Sequence, residues 1–223
     1  MHVEWYGQSA FRLTGESATV FIDPFGDTSQ FAARGITIDY PLISGVSADL
    51  LLVTHEHADH NGVEAIDGDP VLLRSTAGKL DSPIGTIVAV ASEHDASAGT
   101  ERGPNTIFSF VLDGVRVAHF GDFGQSVLRE EQAAAIGEVD LLFVPVGGGF
   151  TIGAADAAAI VEKLRPRWVV PMHYRTERLN FLETADDFLA RMDEVRLLDG
   201  VGFDTDELGE AAGATLTVVP AAP

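Results

Sequence analysis

The segment Asp49-Leu50-Leu51-Leu52-Val53 is followed without a break by Thr54-His55-Glu56-His57-Ala58-Asp59-His60-Asn61-Gly62. A short continuous apolar run of this kind reads as a strand buried on both faces. That requirement is severe, because such a strand exists only inside a sheet covered by further layers on either side. The run empties into a polar loop holding three of the chain's seven histidines. Side chains at the end of a buried strand gather at the sheet's rim, where folds of this class commonly build their sites. In an extended loop His55 and His57 point to the same side and reach one ion, whereas Asp59 and His60 turn toward a second point nearby. Imidazole nitrogen combined with carboxylate oxygen suits Zn(II), and also Mn(II) or Fe(II). A merely solvated polar loop does not account for H-x-H-x-D-H directly after an apolar strand.

Three short strand-like runs open the chain, at 2–6, 10–14 and 18–22, separated by Gly7 and by Gly15-Glu16-Ser17 as in a meander of hairpins. Asp23-Pro24-Phe25-Gly26 ends the meander, and a loop-rich passage follows to about Ser47. Beyond 49–53, strands are expected at 70–74, 84–91, 106–112, 115–120, 139–144, 167–171, 194–198 and 214–219. Helical periodicity marks 127–136, 154–164 and 181–192. The middle one is Ala-rich and stops at Arg165-Pro166, where proline cannot continue a helix. The last has acidic residues near its start and Arg191 near its end, as the helix dipole favours. No linker, low-complexity tract or repeat interrupts this order, so residues 1–223 are expected to form a single α/β domain.

With 223 residues and 46% apolar composition, the chain is long enough to bury a full core. Its 34 acidic against 14 basic residues give a formal charge of −20, a field that repels nucleic-acid phosphates and anionic membranes. The tightest basic group, Arg165, Arg167, Arg175 and Arg178, is no continuous basic footprint. A small-molecule substrate is expected, with neither nucleic acid nor membrane as a partner. No apolar run approaches the ~18 residues that cross a bilayer. The opening MHVEWYGQSA lacks a basic segment and an apolar signal core, so a cytoplasmic protein is expected. The lack of cysteine excludes a disulfide framework, a thiolate nucleophile and a Cys-based zinc finger. The oligomeric state is not encoded in any of these features.

H-x-H-x-D-H after a Leu- and Val-rich strand resembles the signature of the metallo-β-lactamase superfamily. Further segments occur in matching order: W-Y-G-Q-S-A-F-R-L and V-F-I-D-P-F, then A-H-F-G-D-F-G, then L-L-F-V-P-V-G-G-G-F-T-I-G-A-A-D-A-A-A-I, then P-M-H-Y. Together they are similar to a subgroup of metal-dependent hydrolases akin to L-ascorbate-6-phosphate lactonase and, more distantly, N-acylphosphatidylethanolamine phospholipase D. The resemblance covers about residues 2–198 and implies a four-layer αβ/βα sandwich. It implies that His55, His57 and His94 hold a first divalent cation, that Asp59, His60 and His173 hold a second, and that Asp122 bridges them. Zn(II) is the expected ion, with Mn(II) or Fe(II) as alternatives. The residues are consistent with this on their own terms, since each of these segments is a strand followed by His or Asp in a loop. Carboxylates and imidazoles gathered on one rim are costly to desolvate without a cation. Glu93 and Asp95, beside His94, offer rival oxygen ligands.

A water held by two such cations has its pKa brought toward ~7, so the resemblance implies hydrolysis of an ester, lactone or phosphodiester of a small molecule by hydroxide. Asp122 and Asp59 are the expected catalytic carboxylates, Asp59 also steering the water's proton. Asn61 and Arg175 are candidates for an anionic substrate group, with loop surface as the alternative; His119 is either a core residue or a substrate contact. Asp23 either orients a ligating imidazole or caps a turn. Gly147-Gly148-Gly149 permits close backbone approach to a ligand, without the lysine of a phosphate loop. The alternatives are an iron-dependent oxidoreductase or oxygenase on the same fold, and a non-catalytic metal-binding protein. His57 stands where diiron members commonly carry Glu, and the complete ligand set argues for retained catalysis.

Overall fold

The computed structural model describes residues 1–209 and 213–223. The strands are β1 (His2–Gly7), β2 (Ala10–Thr14), β3 (Thr19–Ile22), β4 (Val46–Ser47), β5 (Leu50–Val53), β6 (Ile66–Asp67), β7 (Val71–Arg74) and β8 (Gly78–Ser82). They continue with β9 (Gly85–Glu93), β10 (Pro104–Leu112), β11 (Val115–His119), β12 (Leu141–Pro145), β13 (Trp168–Met172), β14 (Glu194–Leu197), β15 (Gly202–Asp204) and β16 (Leu216–Val219). The helices are α1 (Glu130–Ile136), α2 (Ala154–Leu164), α3 (Asp186–Leu189) and α4 (Thr205–Leu208). One sheet has the order β15-β1-β2-β3-β5-β7 and the other β14-β16-β13-β12-β11-β10-β9-β8, with a short β4-β6 ribbon beside them.

Both sheets start as antiparallel meanders and finish as parallel ladders. In the second, β10 and β11 meet through Asp113-Gly114, both with φ above zero, as a two-residue hairpin turn requires. Beyond β11 the pairings to β12, β13 and β16 are parallel. Period-two alternation sorts the first sheet's side chains. Val20, Ile22, Leu50 and Leu52 join Phe108, Phe143 and Val170 in one apolar cluster between the sheets. Phe21 and Leu51 point the other way, into a second cluster with Tyr40, Ile43, Leu179 and Leu182. Every residue of β12 and β13 is buried, so these strands are covered on both faces. Ile136 of α1 and Ala157, Ile160 and Val161 of α2 belong to the central cluster too.

The sandwich expected from the resemblance is present, with one outer layer built mainly from loop. A 3₁₀ turn at Ser29–Arg34, the β4-β6 ribbon and the chain around Leu179 and Leu182 cover the first sheet. The helix expected over 181–192 shrinks to α3. Glu183 spends its N–H on Gly147 O and its C=O on Arg175 N, both at 2.8 Å, which a helical backbone cannot do. The helix expected from 127 starts at Glu130, because the Gln132 side chain accepts the Arg129 N–H at 3.0 Å and caps it there.

Candidate metal centre

β9 and β11 are both antiparallel to β10, so they run the same way, and β13 follows them through the parallel β12. Their C-terminal ends therefore share one edge, from which His94, Asp122 and His173 emerge. The loop after β5 meets them there. His60 N and Asn61 N both bond back to His57 O, at 2.9 and 3.1 Å, so the chain turns after His57 and aims Asp59 and His60 elsewhere. All seven expected ligands meet at this point.

Asp122 is the hub. Its Oδ2 lies 3.2 Å from His94 Nε2, 3.3 Å from His173 Nε2 and 3.8 Å from His55 Nε2, and its Oδ1 lies 3.3 Å from His60 Nε2. His55 Nε2 is also 3.1 Å from His57 Nδ1. Three sets of three residues offer ligand atoms within 4.8 Å of one another: His55, His57 and His94; Asp59, His60 and His173; and Asp23, His55 and His60, whose Asp23 carboxylate is taken up by Thr54 and His60 Nδ1. The first two are the sets that the resemblance implied.

The outer ring nitrogens of His55, His60 and His94 are already committed, whereas His173 Nδ1 is buried without a hydrogen-bond partner. Thr54 Oγ1 donates to Asp23 Oδ2 at 2.7 Å, so it accepts from His55 Nδ1 at 3.0 Å. His60 Nδ1 donates to Asp23 Oδ2 at 3.0 Å, and His94 Nδ1 to Phe150 O at 3.0 Å. Each bond fixes a tautomer whose Nε2 carries a lone pair facing inward, the arrangement that metal-bound imidazoles need. Asp23 is the imidazole-orienting residue of the two roles open to it. It also accepts Thr54 N at 2.8 Å and is fully buried.

Burial drives the His55 imidazole well below its ordinary pKa and lowers those of His57 and His173, which favours the neutral, ligating form. Burial alone would raise Asp122, yet His173 and His60 hold it well below the usual carboxylate range. At His60 and His94 the pull of Asp122 outweighs burial and raises the pKa. The carboxylate thus demands positive charge from its neighbours. Meanwhile His60 Nε2 and Asp122 Oδ1, both buried, make no hydrogen bond in the structure. Buried polar atoms are normally paired. A divalent cation satisfies both demands together, and this donor set fits one.

The rival ligands beside His94 are otherwise engaged. Asp95 accepts four backbone N–H groups, from Ser97, Gly99, Glu101 and Arg102, and Glu93 pairs with Arg129 at 2.6 Å. Gly147 serves the centre from behind: a Cβ there would lie 2.3 Å from His173 O. The close approach expected of this glycine is thus to the protein's own ligand turn.

A cavity of about 350 Å³ opens onto the cluster, with His57, Asp59, His94, Asp122 and His173 on its floor. None of the three expected substrate contacts lines it. His119 is fully buried, with Nε2 bonded to Ser9 O at 3.0 Å and Nδ1 accepting Gly121 N at 3.2 Å, so neither nitrogen is free. Asn61 Nδ2 bonds to Glu56, whose carboxylate also pairs with Arg74. Arg175 is exposed on the loop after His173. The walls come instead from Phe31, Ile36, Ile38, Phe150, Phe181 and Arg102. Gln8, whose Nε2 donates to Asp59 Oδ2 at 3.0 Å, is a further partner of the centre. No local pattern marks these residues, because loops distant in sequence bring them together.

Residues 2–173 match the β-lactamase superfamily domain. The chain is 33% identical over 205 residues to a UPF0173 metal-dependent hydrolase of Thermococcus kodakarensis, covering 78% of this chain and 84% of that one. It is 32% identical over 207 residues to one of Thermus thermophilus, covering 79% and 84%. A Thermotoga maritima crystal structure, named for the Zn-dependent hydrolases of the metallo-β-lactamase superfamily, superposes with a TM-score of 0.78 at 29% identity, over 98% of each chain. The chain therefore belongs to the metallo-β-lactamase superfamily and, within it, to the UPF0173 metal-dependent hydrolases.

Proposed function

We propose that the chain hydrolyses a carboxylic ester or lactone of a small molecule at a two-cation centre. The observation that carries this reading is the coincidence of two complete three-ligand sets, joined by Asp122, on the floor of a small cavity with mostly apolar walls. Divalent cations supply the acidity such a reaction needs, bringing the pKa of water toward ~7 and stabilising charge on a developing oxyanion.

The chain's own residues do the rest. His55, His57 and His94 hold one position and Asp59, His60 and His173 the other, with Asp122 between. Asp59 is the more accessible carboxylate, its side chain 14% exposed against 4% for Asp122. Gln8 restrains its Oδ2, and the carboxylate accepts a proton from the attacking water and returns it to the departing alkoxide. The water oxygen bonds to the acyl carbon first, and the acyl–oxygen bond then breaks as the alkoxide leaves with that proton. Phe31, Ile36, Ile38, Phe150 and Phe181 hold the apolar body of the substrate and shed water from it. A phosphodiester would find few cationic partners among these walls, which favours the acyl compound.

The test is a screen of the protein loaded with Zn(II) or Mn(II) against lactones, aryl esters, phosphodiesters and β-lactams. Turnover of lactones or esters, abolished with loss of metal in Asp122→Ala, is the expected result. Fully loaded protein that turns over only phosphodiesters, or nothing, rejects the reading.

A further inference from the structure

Among the described residues Arg102 is the one basic side chain on the wall of the cavity. It lies in the loop between β9 and β10, is partly buried, and stacks its guanidinium on the Phe150 ring, 3.5 Å from the centroid. Among the described residues its guanidinium has no ion pair and no hydrogen bond, a state it shares with Arg167, Arg175 and Arg191 among others; what sets it apart is its place on the cavity wall.

Its position is also held. The Arg102 N–H donates to Asp95 Oδ2 at 2.7 Å, and the same carboxylate gathers the N–H groups of Ser97, Gly99 and Glu101. Phe150, the stacking partner, is fixed by its own carbonyl, which accepts His94 Nδ1 at 3.0 Å. The guanidinium thus spends one face on an aromatic ring and keeps its fork of N–H donors for something else. Stacking of this kind leaves the edge free for two parallel bonds to a carboxylate. The lock on Phe150 ties that edge to a ligand of the metal centre.

Resting on the hydrolase reading above, we infer that Arg102 determines specificity by binding a carboxylate at the far end of the substrate. The substrate class is then an ester or lactone with an apolar body and a second, anionic terminus. The body lies along Phe150 and Phe181, whose rings are 6.0 Å apart, and the acyl group reaches Asp122.

Phenyl valerate and monophenyl adipate differ by one terminal carboxylate and make a matched pair for the metal-loaded protein. The expected result is a preference for the adipate that falls about ten- to a hundredfold in Arg102→Met and Arg102→Gln, chiefly through KM, as expected for losing hydrogen bonds to a charge. Arg102→Lys keeps part of the preference. Calorimetric titration with 5-phenylvalerate, which cannot be hydrolysed, reads the same contact without turnover, and binding should weaken at least about tenfold in the Met variant. If neither ester is cleaved but 5-phenylvalerate binding depends on Arg102, the ester reading falls and the anion site stands. If the adipate preference and 5-phenylvalerate affinity survive in both neutral variants, Arg102 has no such role and the hydrolase reading is untouched.

Discussion

Asp23 Oδ2 lies 3.0 Å from His60 Nδ1, and both side chains are completely buried. Thirty-seven residues separate them in sequence. The same carboxylate takes the Thr54 hydroxyl, which in turn receives His55 Nδ1, so one buried charge orients an imidazole of each ligand set. Asp23 occupies a left-handed backbone conformation, φ 49°, a strain kept where the surrounding bonds over-determine it. Asp23→Asn keeps the size and loses the charge. Metal affinity should fall roughly ten- to a hundredfold, as for other partners of ligating histidines. Competition with a chromophoric chelator measures it, and unchanged affinity would remove Asp23 from this role.

The H-x-H-x-D-H loop was legible because a buried apolar strand and dense histidines coincide within one short segment. His94, Asp122 and His173 each follow a strand, and only the pairing through the antiparallel β10 and the parallel β12, a tertiary fact, places those ends together. β8 has no sequence signature of its own, since its residues are exposed or half-buried and its place is set by the hairpin to β9. β15 is too short to show a period and exists by pairing with β1. Arg102 and the aromatic wall have no local signature. Their roles follow from loops that cross over the site, such as the bridge between Ile38 and Leu179.

His119 tests the boundary between ligand and scaffold. Both of its nitrogens bond to backbone, one of them across to Ser9 in the first sheet's meander. Its ring also packs against Phe11 and Phe143, with centroids 6.2 and 5.6 Å away. His119→Ala should therefore keep its metal while losing about 2–4 kcal/mol of stability through the cavity and the unpaired backbone groups. Denaturant unfolding beside metal analysis separates the two effects. Loss of metal in a folded variant would show that the scaffold assignment is wrong.

Asp140 gives the fold an acid-sensitive tie away from the centre. It accepts Arg116 N at 2.9 Å, Nε at 2.8 Å and Nη2 at 2.8 Å, holding the start of β11 to the chain before β12. Its carboxyl is held below the usual range, first by the hydrogen bonds from Arg116. A folded pKa below the unfolded value of about 3.9 means stability fully present above that value and lost as pH falls through the folded one. Asp140→Asn should cost about 1–3 kcal/mol at neutral pH, with the difference from the parent protein shrinking below about pH 4. Urea unfolding across pH checks this; a difference that stays constant down to pH 2.5 contradicts it.

Gly147 sets the position of His173 by what it lacks. Its N–H donates to His173 O at 3.1 Å, and an added Cβ would lie 2.3 Å from that oxygen and 2.7 Å from Tyr174 Cα. Backbone atoms cannot swing aside as a flexible side chain would, and His173, at φ 49°, has little freedom left to absorb a push. Gly147→Ala should therefore move His173 and weaken the set it shares with Asp59 and His60, leaving His55, His57 and His94 in place. The destabilisation should be about 1–3 kcal/mol, typical of overpacking. Gly200→Ala is the control, because a Cβ there meets no atom within 4 Å. Metal analysis after dialysis should find about half the parent's content in the Gly147 variant and full content in the Gly200 variant. Full content in both would mean that His173 does not depend on this contact, or that it holds no ion.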